Sequence, residues 1–401
     1  MNCKSPAPGC STTPMRVLIA FDKFKDSMSA LTACDVASGA VAALVSRPEV
    51  DVCPLSDGGE GFAGILTRAA IGTETAVQVV GPRGAPVEAS YGVVDLARVP
   101  ARARRLLGAT GADEGAIGVV EMASASGLAL LSPEERDPMR TSSVGTGQLL
   151  RAAASGDVRA ILLGVGGSAT HDLGLGALEA LGLGYVDAEG GMIDPLVPAD
   201  WPRLAGILGK VVQDLPPILI ACDVDNPLLG PRGALATYGP QKGLRPRDAA
   251  MLEEQGARIA ALACTVFGRS PELVSAPGSG AAGGIAFGLM AALGAQLLPG
   301  FELVSSWLDF EGRLASADVV VTGEGRFDDS SLQGKGPGAL AMRALELGKR
   351  VHVFAGEVRL SHPVPGLLTH SVTPAGMALP DALANAPGLL FSAVKRTLSS
   401  E

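Results

Sequence analysis

The chain has 401 residues, a length that allows two domains with separate hydrophobic cores. Its formal net charge is −9, with 32 Lys and Arg against 41 Asp and Glu, and this balance argues against nucleic-acid binding, which needs a basic face. Hydrophobic residues make up 47% of the chain and aromatic residues only 4%, which favours an α/β protein built from Ala, Val and Leu. A protein of this charge that binds anions must concentrate its Lys and Arg locally.

Cysteines, histidines and apolar runs exclude several further classes. The six cysteines contain no CxxC pair and the four histidines show no ligand spacing, so no zinc site is expected. Cysteines in apolar stretches are typical small core residues and suit a reducing cytoplasm. No apolar run reaches the length of a membrane span, so we expect a cytoplasmic protein without membrane partners. Residues 1–14 lack an apolar signal core and are predicted to form a disordered extension before Met15.

Two strand–loop–helix units follow this extension. Residues 16–20 form a predicted strand, and Ser29 is predicted to cap a helix that runs to about residue 45. Residues 50–55 form a second strand, followed by a Gly-rich acidic loop at 56–61 and another helix. Two such units in succession imply a parallel sheet with right-handed crossovers.

The pattern then changes to antiparallel strands. Residues 75–80 and 87–94 alternate in polarity and are joined by a Gly-Pro-Arg-Gly turn. Residues 97–114 are rich in Arg, Ala and Gly and are predicted to form an exposed loop. Further strands are predicted at 117–121, 160–164 and 218–222, and further helices at 143–154, 170–181 and 247–267.

Parallel units resume late in the chain, with strands at 319–322 and 351–355 around a helix at 337–347, and a final helix. The simplest architecture is an α/β fold in which a Rossmann-like parallel-sheet domain is interrupted by an inserted α/β domain. We expect the active site in the cleft between the two domains. The predicted Rossmann-like domain comprises 15–75 and 296–401, and the predicted inserted domain 76–295.

The most informative segment is the β-branched run that ends around Glu324. Such a run is typical of a buried parallel strand. The glycines that flank Glu324 let a ligand approach the backbone, and the carboxylate can hold a hydrated Mg²⁺. Arg326 lies beside two carboxylates and offers donors to a phosphate or carboxylate, and Lys335 supplies another cation before the next helix. This combination indicates phosphoryl transfer, although Gly-rich turns also follow strands in many α/β proteins.

The loops after the first two predicted strands also carry acids together with cations or glycines. The first loop contains Asp22 and Lys25, and the second loop is the Gly-rich segment 56–61. The amides of Gly58 and Gly59 can cradle an oxyanion at a helix N-terminus, while Asp57 either faces the opening as a metal ligand or caps the helix. Asp22 and Lys25 lie in the first loop, which on its own also fits a solvated charged loop.

A third loop follows the predicted strand 160–164. Gly166, Gly167, Ser168 and Thr170 leave free amides and hydroxyls for a phosphate. The loop is not a Walker A motif, because no Gly-Lys-Ser/Thr follows, and the Rossmann fingerprint fits only loosely. His171 has no ligand partner in the sequence and is interpreted as a packing or hydrogen-bonding residue.

A fourth loop carries paired acids. Asp223 and Asp225 follow the strand 218–222 on the same side, where they can bind Mg²⁺ or accept a proton from a hydroxyl. An Asx turn before Pro227 explains them equally well. Nearby, Lys242 adds a cation within a rigid Gly-Pro-Gln-Lys-Gly turn.

In this order, the motifs resemble those of the bacterial type I glycerate kinase family, from Met15 to about Lys395. The resemblance implies ATP-dependent phosphorylation of D-glycerate, commonly at the 2-hydroxyl, with Mg²⁺. It also implies two α/β domains, one inserted into the other. The matching motifs are Ile19-Ala-Phe-Asp22-Lys-Phe-Lys25, Asp57-Gly-Gly-Glu-Gly61, Gly145-Thr-Gly147, Gly166-Gly-Ser-Ala-Thr170, Asp223-Val-Asp-Asn-Pro227, Gly239-Pro-Gln-Lys-Gly243 and Thr322-Gly-Glu-Gly-Arg326.

These motifs give the candidate site residues. The chain departs from the family pattern at Phe21 and Asp26, where the family usually has Ala-Pro-Asp and Phe-Lys-Gly, and at His171 and Leu173, where it usually has Ala-Thr-Asn-Asp-Gly. The catalytic candidates are Asp22, Lys25, Asp223 and Arg326; the metal candidates are Asp57 and Glu324; the substrate and phosphate candidates are Gly58, Gly59, Gly166, Gly167, Ser168, Thr170, Lys242 and Lys335.

Two other functions remain open at this point. A dinucleotide-dependent oxidoreductase acting on a hydroxy acid fits the Gly-rich loops. Such a fold, however, needs a strand, a Gly-x-Gly-x-x-Gly pattern and an acidic residue that binds the ribose within one unit, and these do not align here. A non-catalytic sugar-acid binding protein fits the departures from the family pattern at Asp26, His171 and Leu173. Four acids predicted at strand ends argue against it: Asp22, Asp57, Asp223 and Glu324. The expected small-molecule partner is D-glycerate, and the expected assembly is a monomer or homodimer.

Overall fold

The computed structural model describes residues 15–56, 58–108, 115–212, 214–332 and 336–399. The predicted extension at 1–14 and the candidates Asp57 and Lys335 lie outside these residues. Within them, no helix combines the length and apolarity needed to cross a membrane.

Strands and helices alternate along most of the chain. The strands are β1 (Arg16–Phe21), β2 (Glu49–Val52), β3 (Thr73–Val80), β4 (Pro86–Asp95), β5 (Ala116–Glu121), β6 (Val158–Gly164), β7 (Leu183–Val186), β8 (Gly206–Gly209), β9 (Ile218–Ala221), β10 (Gln296–Leu298), β11 (Val319–Asp328), β12 (Arg350–Arg359) and β13 (Leu367–Ser371). The helices are α1 (Ala30–Ala42), α2 (Phe62–Ala69), α3 (Ala101–Leu106), α4 (Met122–Ser126), α5 (Val144–Ala154), α6 (Leu175–Ala180), α7 (Ala234–Tyr238), α8 (Pro246–Val266), α9 (Ala281–Leu293), α10 (Gly300–Trp307), α11 (Phe310–Ser316), α12 (Gly336–Glu346) and α13 (Leu379–Leu398).

The chain divides into two compact units. The split unit comprises residues up to 55 and from 310 onward, and the inserted unit comprises residues 56–309. The inserted unit is longer at both ends than the predicted domain 76–295. At its start α2 packs against β4 and β5, and at its end α10 packs against α3 and β9. The indole Nε1 of Trp307 also donates to the carbonyl of Leu66 at 3.0 Å, which fastens the two ends of the inserted unit together.

The split unit is built on a five-stranded sheet in the order β13-β12-β11-β1-β2. All its neighbouring strands pair in parallel, as the sequence predicts. Helices α1 and α13 pack together, while α12 packs on β11 and β12. Helix α1 is capped as predicted, because Ser29 Oγ accepts a hydrogen bond from the Thr32 amide at 3.1 Å.

The strand order of this unit defines where a ligand is expected. Counted within the unit, the order is 2-1-3-4-5, the doubly wound arrangement in which ligands bind outside the carboxyl ends of the first and third strands. Those two strands are β1 and β11, which pair from Val17↔Val319 to Phe21↔Gly323. The topological switch point therefore lies between β1 and β11.

The inserted unit is built on a six-stranded sheet in the order β10-β9-β6-β5-β4-β3. Strands β5, β6, β9 and β10 run parallel, whereas β3 and β4 pair antiparallel, which confirms the predicted change of pattern. A separate antiparallel pair is formed by β7 and β8. The core includes Leu149, Leu163, Ile220 and Ile285, which come from α5, β6, β9 and α9.

Two predicted elements are wrong. The Arg-rich stretch 97–114 is not a continuous loop, because Ala101–Leu106 forms α3, with Ala103 buried. The helix predicted from residue 170 begins only at Leu175, since Leu173 (φ 55°) and Gly174 (φ 73°) adopt left-handed backbone conformations that end the preceding loop.

Candidate active site

In the split unit, Asp22 and Glu324 lie at the switch point. Asp22 directly follows β1, and its amide donates to the carbonyl of Gly323 at 3.0 Å. Glu324 follows Gly323 in β11, one residue past the last pair between β1 and β11, so it lies beside the carboxyl end of β1 although β11 itself continues. Both side chains are partly buried, and Asp22 Oδ1 accepts the amide of Lys23 at 2.7 Å. The sequence predicts both acids at strand ends; Asp22 does follow the end of β1, whereas Glu324 lies within β11, and the fold sets the two strands side by side.

The segment around Glu324 is a strand and not the predicted turn. β11 continues to Asp328 and pairs in parallel with β12 as far as Asp328↔Arg359. The glycines serve close approach within the chain: a Cβ on Gly323 would lie 1.7 Å from the carbonyl of Phe354, and one on Gly325 would lie 3.1 Å from the amide of Lys25. Packing within the chain therefore already explains these glycines, and their predicted role in admitting a ligand stays a prediction.

Two predicted cations of this unit, Lys25 and Arg326, lie within the described residues and are exposed. Lys25 lies in the loop that packs against Gly325. The Arg326 side chain is 55% exposed, and its Nε lies 3.3 Å from Asp328 Oδ2. Hydrogen bonds from Ser330, and secondarily the Arg326 guanidinium, lower the pKa of Asp328. Both cations thus remain accessible near the carboxyl edge of the sheet.

In the inserted unit, the second loop, which contains Gly58 and Gly59, lies over the ends of β6 and β9. Gly166 donates its amide to the carbonyl of Gly58 at 3.0 Å, and a Cβ on Gly166 would lie 2.7 Å from the amide nitrogen of Gly59. Gly58 has φ +91°, and a Cβ on it would lie 3.7 Å from the carbonyl of Ala221. Two loops far apart in sequence therefore meet at the carboxyl edge of this sheet, and only Gly fits their contact.

The loop 166–170 rests on Lys242. The lysine is only 2% exposed, and its Nζ donates to Ser168 Oγ at 2.8 Å and to the carbonyl of Thr170 at 2.7 Å. Burial lowers the pKa of Lys242 to about 7, although Asp172 opposes this shift. Burial, together with Lys242, also lowers the pKa of His171 to about 3, so that imidazole is neutral. The sequence predicts Lys242 as a cation in a rigid turn that binds substrate or phosphate; the turn is observed, but the amine lies inside the protein.

Other atoms of this loop are also specified by packing. Gly167 has φ +72° and its carbonyl accepts the amide of Leu128 at 2.8 Å. Ala169 donates its amide to the carbonyl of Ser126 at 2.9 Å. Thr170 Oγ1 is buried and has no hydrogen-bond partner among the described residues. The loop backbone is therefore held at several points.

Two buried acids of the inserted unit were missed by the sequence reasoning. Asp172 Oδ2 accepts from the amide of Ser143 at 2.7 Å and from its Oγ at 2.8 Å, and burial raises the pKa of Asp172. Glu121 Oε2 accepts the amide of Ala63 at 3.2 Å, in the first turn of α2. Each acid connects a strand-end loop to a helix start. The available signal was position: Glu121 directly precedes helix α4, and Asp172 lies in a Gly-rich loop shortly before helix α6.

Asp223 has a structural partner. Its Oδ2 accepts the amide of Phe301 at 2.9 Å, in the first turn of α10. A carboxylate at this position accepts a hydrogen bond from an amide that has no partner within the helix, and its negative charge interacts favourably with the positive end of the helix dipole. The geometry thus adds helix capping to the two interpretations from sequence, while the catalytic role of Asp223 stays a prediction.

The comparisons with known proteins identify the family. The sequence model of the glycerate kinase family matches residues 17–400. The chain belongs to the glycerate kinase family. A glycerate kinase of Halalkalibacterium halodurans is 36% identical over 392 residues, covering 94% of this chain and 96% of that protein. The glycerate 2-kinase of Escherichia coli is 35% identical over 351 residues, covering 86% of each. This family member is accordingly an enzyme, a kinase.

A solved structure gives the same result. The crystal structure of a candidate glycerate kinase 2 from Salmonella typhimurium matches with a TM-score of 0.72 at 35% identity. The match covers 96% of this chain and 98% of that one, so it includes both α/β units.

The structure also explains two departures of this family member from the family pattern. Asp26 has φ 60° and Leu173 has φ 55°, and both occupy positions where the pattern has Gly. The left-handed backbone that Gly adopts freely is therefore retained with other residues. Leu173 is 1% exposed and packs in the core of the inserted unit, whereas Asp26 is exposed.

Proposed function

We propose that this kinase transfers the γ-phosphoryl group of ATP to D-glycerate, at the 2-hydroxyl. The observation that carries the proposal is the position of Asp22 and Glu324 at the switch point of a doubly wound sheet, with Lys25 and Arg326 exposed nearby. Phosphoryl transfer needs a carboxylate for the attacking hydroxyl and positive charge for the phosphates. The names of the relatives, glycerate kinase and glycerate 2-kinase, support the substrate and the position.

The residues present fit a Mg²⁺ that arrives with the nucleotide. Among the described residues, no group of three or more His, Cys, Asp or Glu is arranged to hold a metal. Mg²⁺ in nucleotide sites is bound through one or two carboxylates, with phosphates and water completing the shell. Glu324 is our proposed ligand, and Asp57 is the second candidate from sequence. When bound, Mg²⁺ neutralises charge on the phosphate oxygens.

The remaining roles follow from charge and position. We assign Asp22 as the acceptor of the glycerate proton, in preference to Asp223, because Asp22 directly follows β1 at the switch point of the doubly wound sheet. Lys25 and Arg326 would hold the substrate carboxylate and the phosphates, since an acidic protein needs local positive charge for two anions.

The Gly-rich loops supply further donors in this proposal. The amides of the second and third loops, together with the Ser168 and Thr170 hydroxyls, would bind phosphate oxygens at the carboxyl edge of the inserted unit's sheet. The proposed amide donors are Gly58 and Gly59 of the second loop and Gly167 of the third, whereas the Gly166 amide joins the two loops by donating to the carbonyl of Gly58.

ADP formation by the purified protein with ATP, Mg²⁺ and D-glycerate tests the proposal. We expect ADP only when D-glycerate is present, whereas an oxidoreductase would reduce a nicotinamide dinucleotide and a binding protein would give neither product. Asp22→Asn and Glu324→Gln keep the side-chain shape and remove charge, so folding should survive while turnover falls. Near-normal turnover and Mg²⁺ dependence in both variants would refute this placement of the active site.

A further inference from the structure

We infer that Lys242 is a positioning residue that fixes the loop 166–170 from within the inserted unit and does not itself contact the substrate. Its Nζ lies 2.8 Å from Ser168 Oγ and 2.7 Å from the carbonyl of Thr170, so it bridges two residues of the loop. Its side chain is 2% exposed, so the amine is shielded from solvent and faces the loop. The activity readout below rests on the proposed function, but the structural readout does not.

The amine is suited to this bridge in either protonation state. Burial disfavours the ammonium form, and a neutral amine still has two N–H donors, which match the two acceptors. Replacing the lysine by an apolar side chain of similar length would leave a buried hydroxyl and a buried carbonyl without this donor. Such unsatisfied groups destabilise the conformation that buries them.

The lysine is itself held by a rigid turn. The Lys242 amide donates to the carbonyl of Gly239 at 3.0 Å within the short 3₁₀ helix Pro240–Lys242. The next residue, Gly243, has φ +87°, and a Cβ there would lie 2.2 Å from the carbonyl of Arg136. Because the turn is rigid, it holds the Lys242 amine in one position. We therefore infer that the Gly-Pro-Gln-Lys-Gly motif supports the third loop.

The opposite end of the loop is fixed independently. Asp172 accepts hydrogen bonds from Ser143, at the start of α5, and from the amides of Gly174 and Gly176, at 3.2 and 3.3 Å. The loop is therefore anchored at Asp172 by helix starts and at Ser168 and Thr170 by Lys242. Removing the lysine should loosen the loop at Ser168 and Thr170 and leave the anchor at Asp172 in place.

Lys242→Met is the direct test. We expect kcat/KM for glycerate-dependent ADP formation to fall by about 10- to 100-fold, the scale of a displaced positioning group. The loss should lie mainly in kcat, because no ligand contact is removed. Hydrogen exchange of the ligand-free protein should accelerate at Gly166 and Ala169, whose amides donate to Gly58 and Ser126 in the wild type.

Lys349→Met is the matched control. Lys349 also donates its Nζ to a backbone carbonyl, that of Ala315 at 2.9 Å, but lies in the split unit. It should keep wild-type kinetics and wild-type exchange at the loop 166–170. A loss of activity in Lys242→Met with unchanged exchange at this loop would show direct ligand contact and overturn the inference, as would unchanged kinetics.

A second variant keeps the test decisive if Lys242→Met does not fold. Ser168→Ala removes one acceptor of the lysine and retains the amine, so exchange at Gly166 and Ala169 should rise by a smaller factor. Unchanged exchange in Ser168→Ala would contradict the inference. Absence of ADP formation by the wild type would refute the proposed function alone, since the exchange comparison does not depend on turnover.

Discussion

At the scale of single residues, two loops keep a glycine-like backbone without glycine. A left-handed conformation costs an ordinary L-residue roughly 1–2 kcal/mol, and somewhat less for Asp. Leu173 offsets this cost by burying its side chain in the core of the inserted unit. Asp26 is exposed and gains no such packing, so its strain remains open to relief by mutation.

Asp26→Gly should stabilise the protein by up to about 1 kcal/mol, because relief of the left-handed strain exceeds the extra chain entropy of Gly. Urea denaturation measures the free energy of unfolding. The matched control is Asp35→Gly, an exposed position in α1, which should destabilise by about 0.5 kcal/mol through lost helix propensity. A variant at Asp26 less stable than wild type would show that the carboxylate makes a stabilising contact.

Arg326→Ala should remove about 2–4 kcal/mol of transition-state stabilisation, the scale of a lost electrostatic donor. The side chain is exposed and pairs only loosely with Asp328, so folding should be unaffected. Steady-state kinetics with D-glycerate and ATP gives the change in kcat/KM. Arg343→Ala removes a comparable exposed arginine that pairs with Glu311 and Glu346, and it should retain wild-type kinetics. Equal kinetics for both variants would show that Arg326 is only a surface charge.

At the scale of elements, the sequence predicts what is local and misses what depends on a partner. The β-branched run of β11 and the Ser29 cap of α1 are readable because their causes lie within a few residues. The continuation of β11 to Asp328 was missed because it depends on pairing with β12, and glycine-rich acidic sequence otherwise favours a turn. The burial of Lys242 was missed because lysine is usually exposed and its acceptors lie more than seventy residues away.

Helix α6 carries an acid whose titration should affect stability. Glu179 lines a pocket of about 630 Å³ together with Asp194 and Arg151. Burial, assisted by a hydrogen bond with Asp194, raises the pKa of Glu179 from 4.5 to about 7. The folded state therefore binds this proton more tightly than the unfolded state, so the stabilisation is complete below about pH 4.5 and is lost as pH rises through about 7.

We expect the free energy of unfolding of the wild type to fall more between about pH 5 and pH 8 than that of Glu179→Gln, which mimics the protonated acid. Denaturant titrations at several pH values measure this difference. Glu189→Gln changes an exposed glutamate of the same unit and should follow the wild-type profile. Parallel profiles for wild type and Glu179→Gln would contradict the raised pKa.

At the scale of the whole molecule, two α/β units each place candidate residues at the carboxyl ends of parallel strands. In the split unit these are acids and cations, and in the inserted unit they are glycines, hydroxyls and the acid Asp223. The interruption of one domain by another was predictable from the return of parallel units late in the chain. The bounds at 56 and 309 were not, because they depend on how α2 and α10 pack. The monomeric or homodimeric state stays a prediction.

Phosphorus NMR of the product formed from ATP, Mg²⁺ and D-glycerate tests the central claim most directly. The purified protein should convert D-glycerate to 2-phosphoglycerate with an equal amount of ADP, and Glu324→Gln should form far less product under the same conditions. Formation of 3-phosphoglycerate would contradict the proposed 2-hydroxyl acceptor, and the absence of either phosphoglycerate would contradict the proposed reaction.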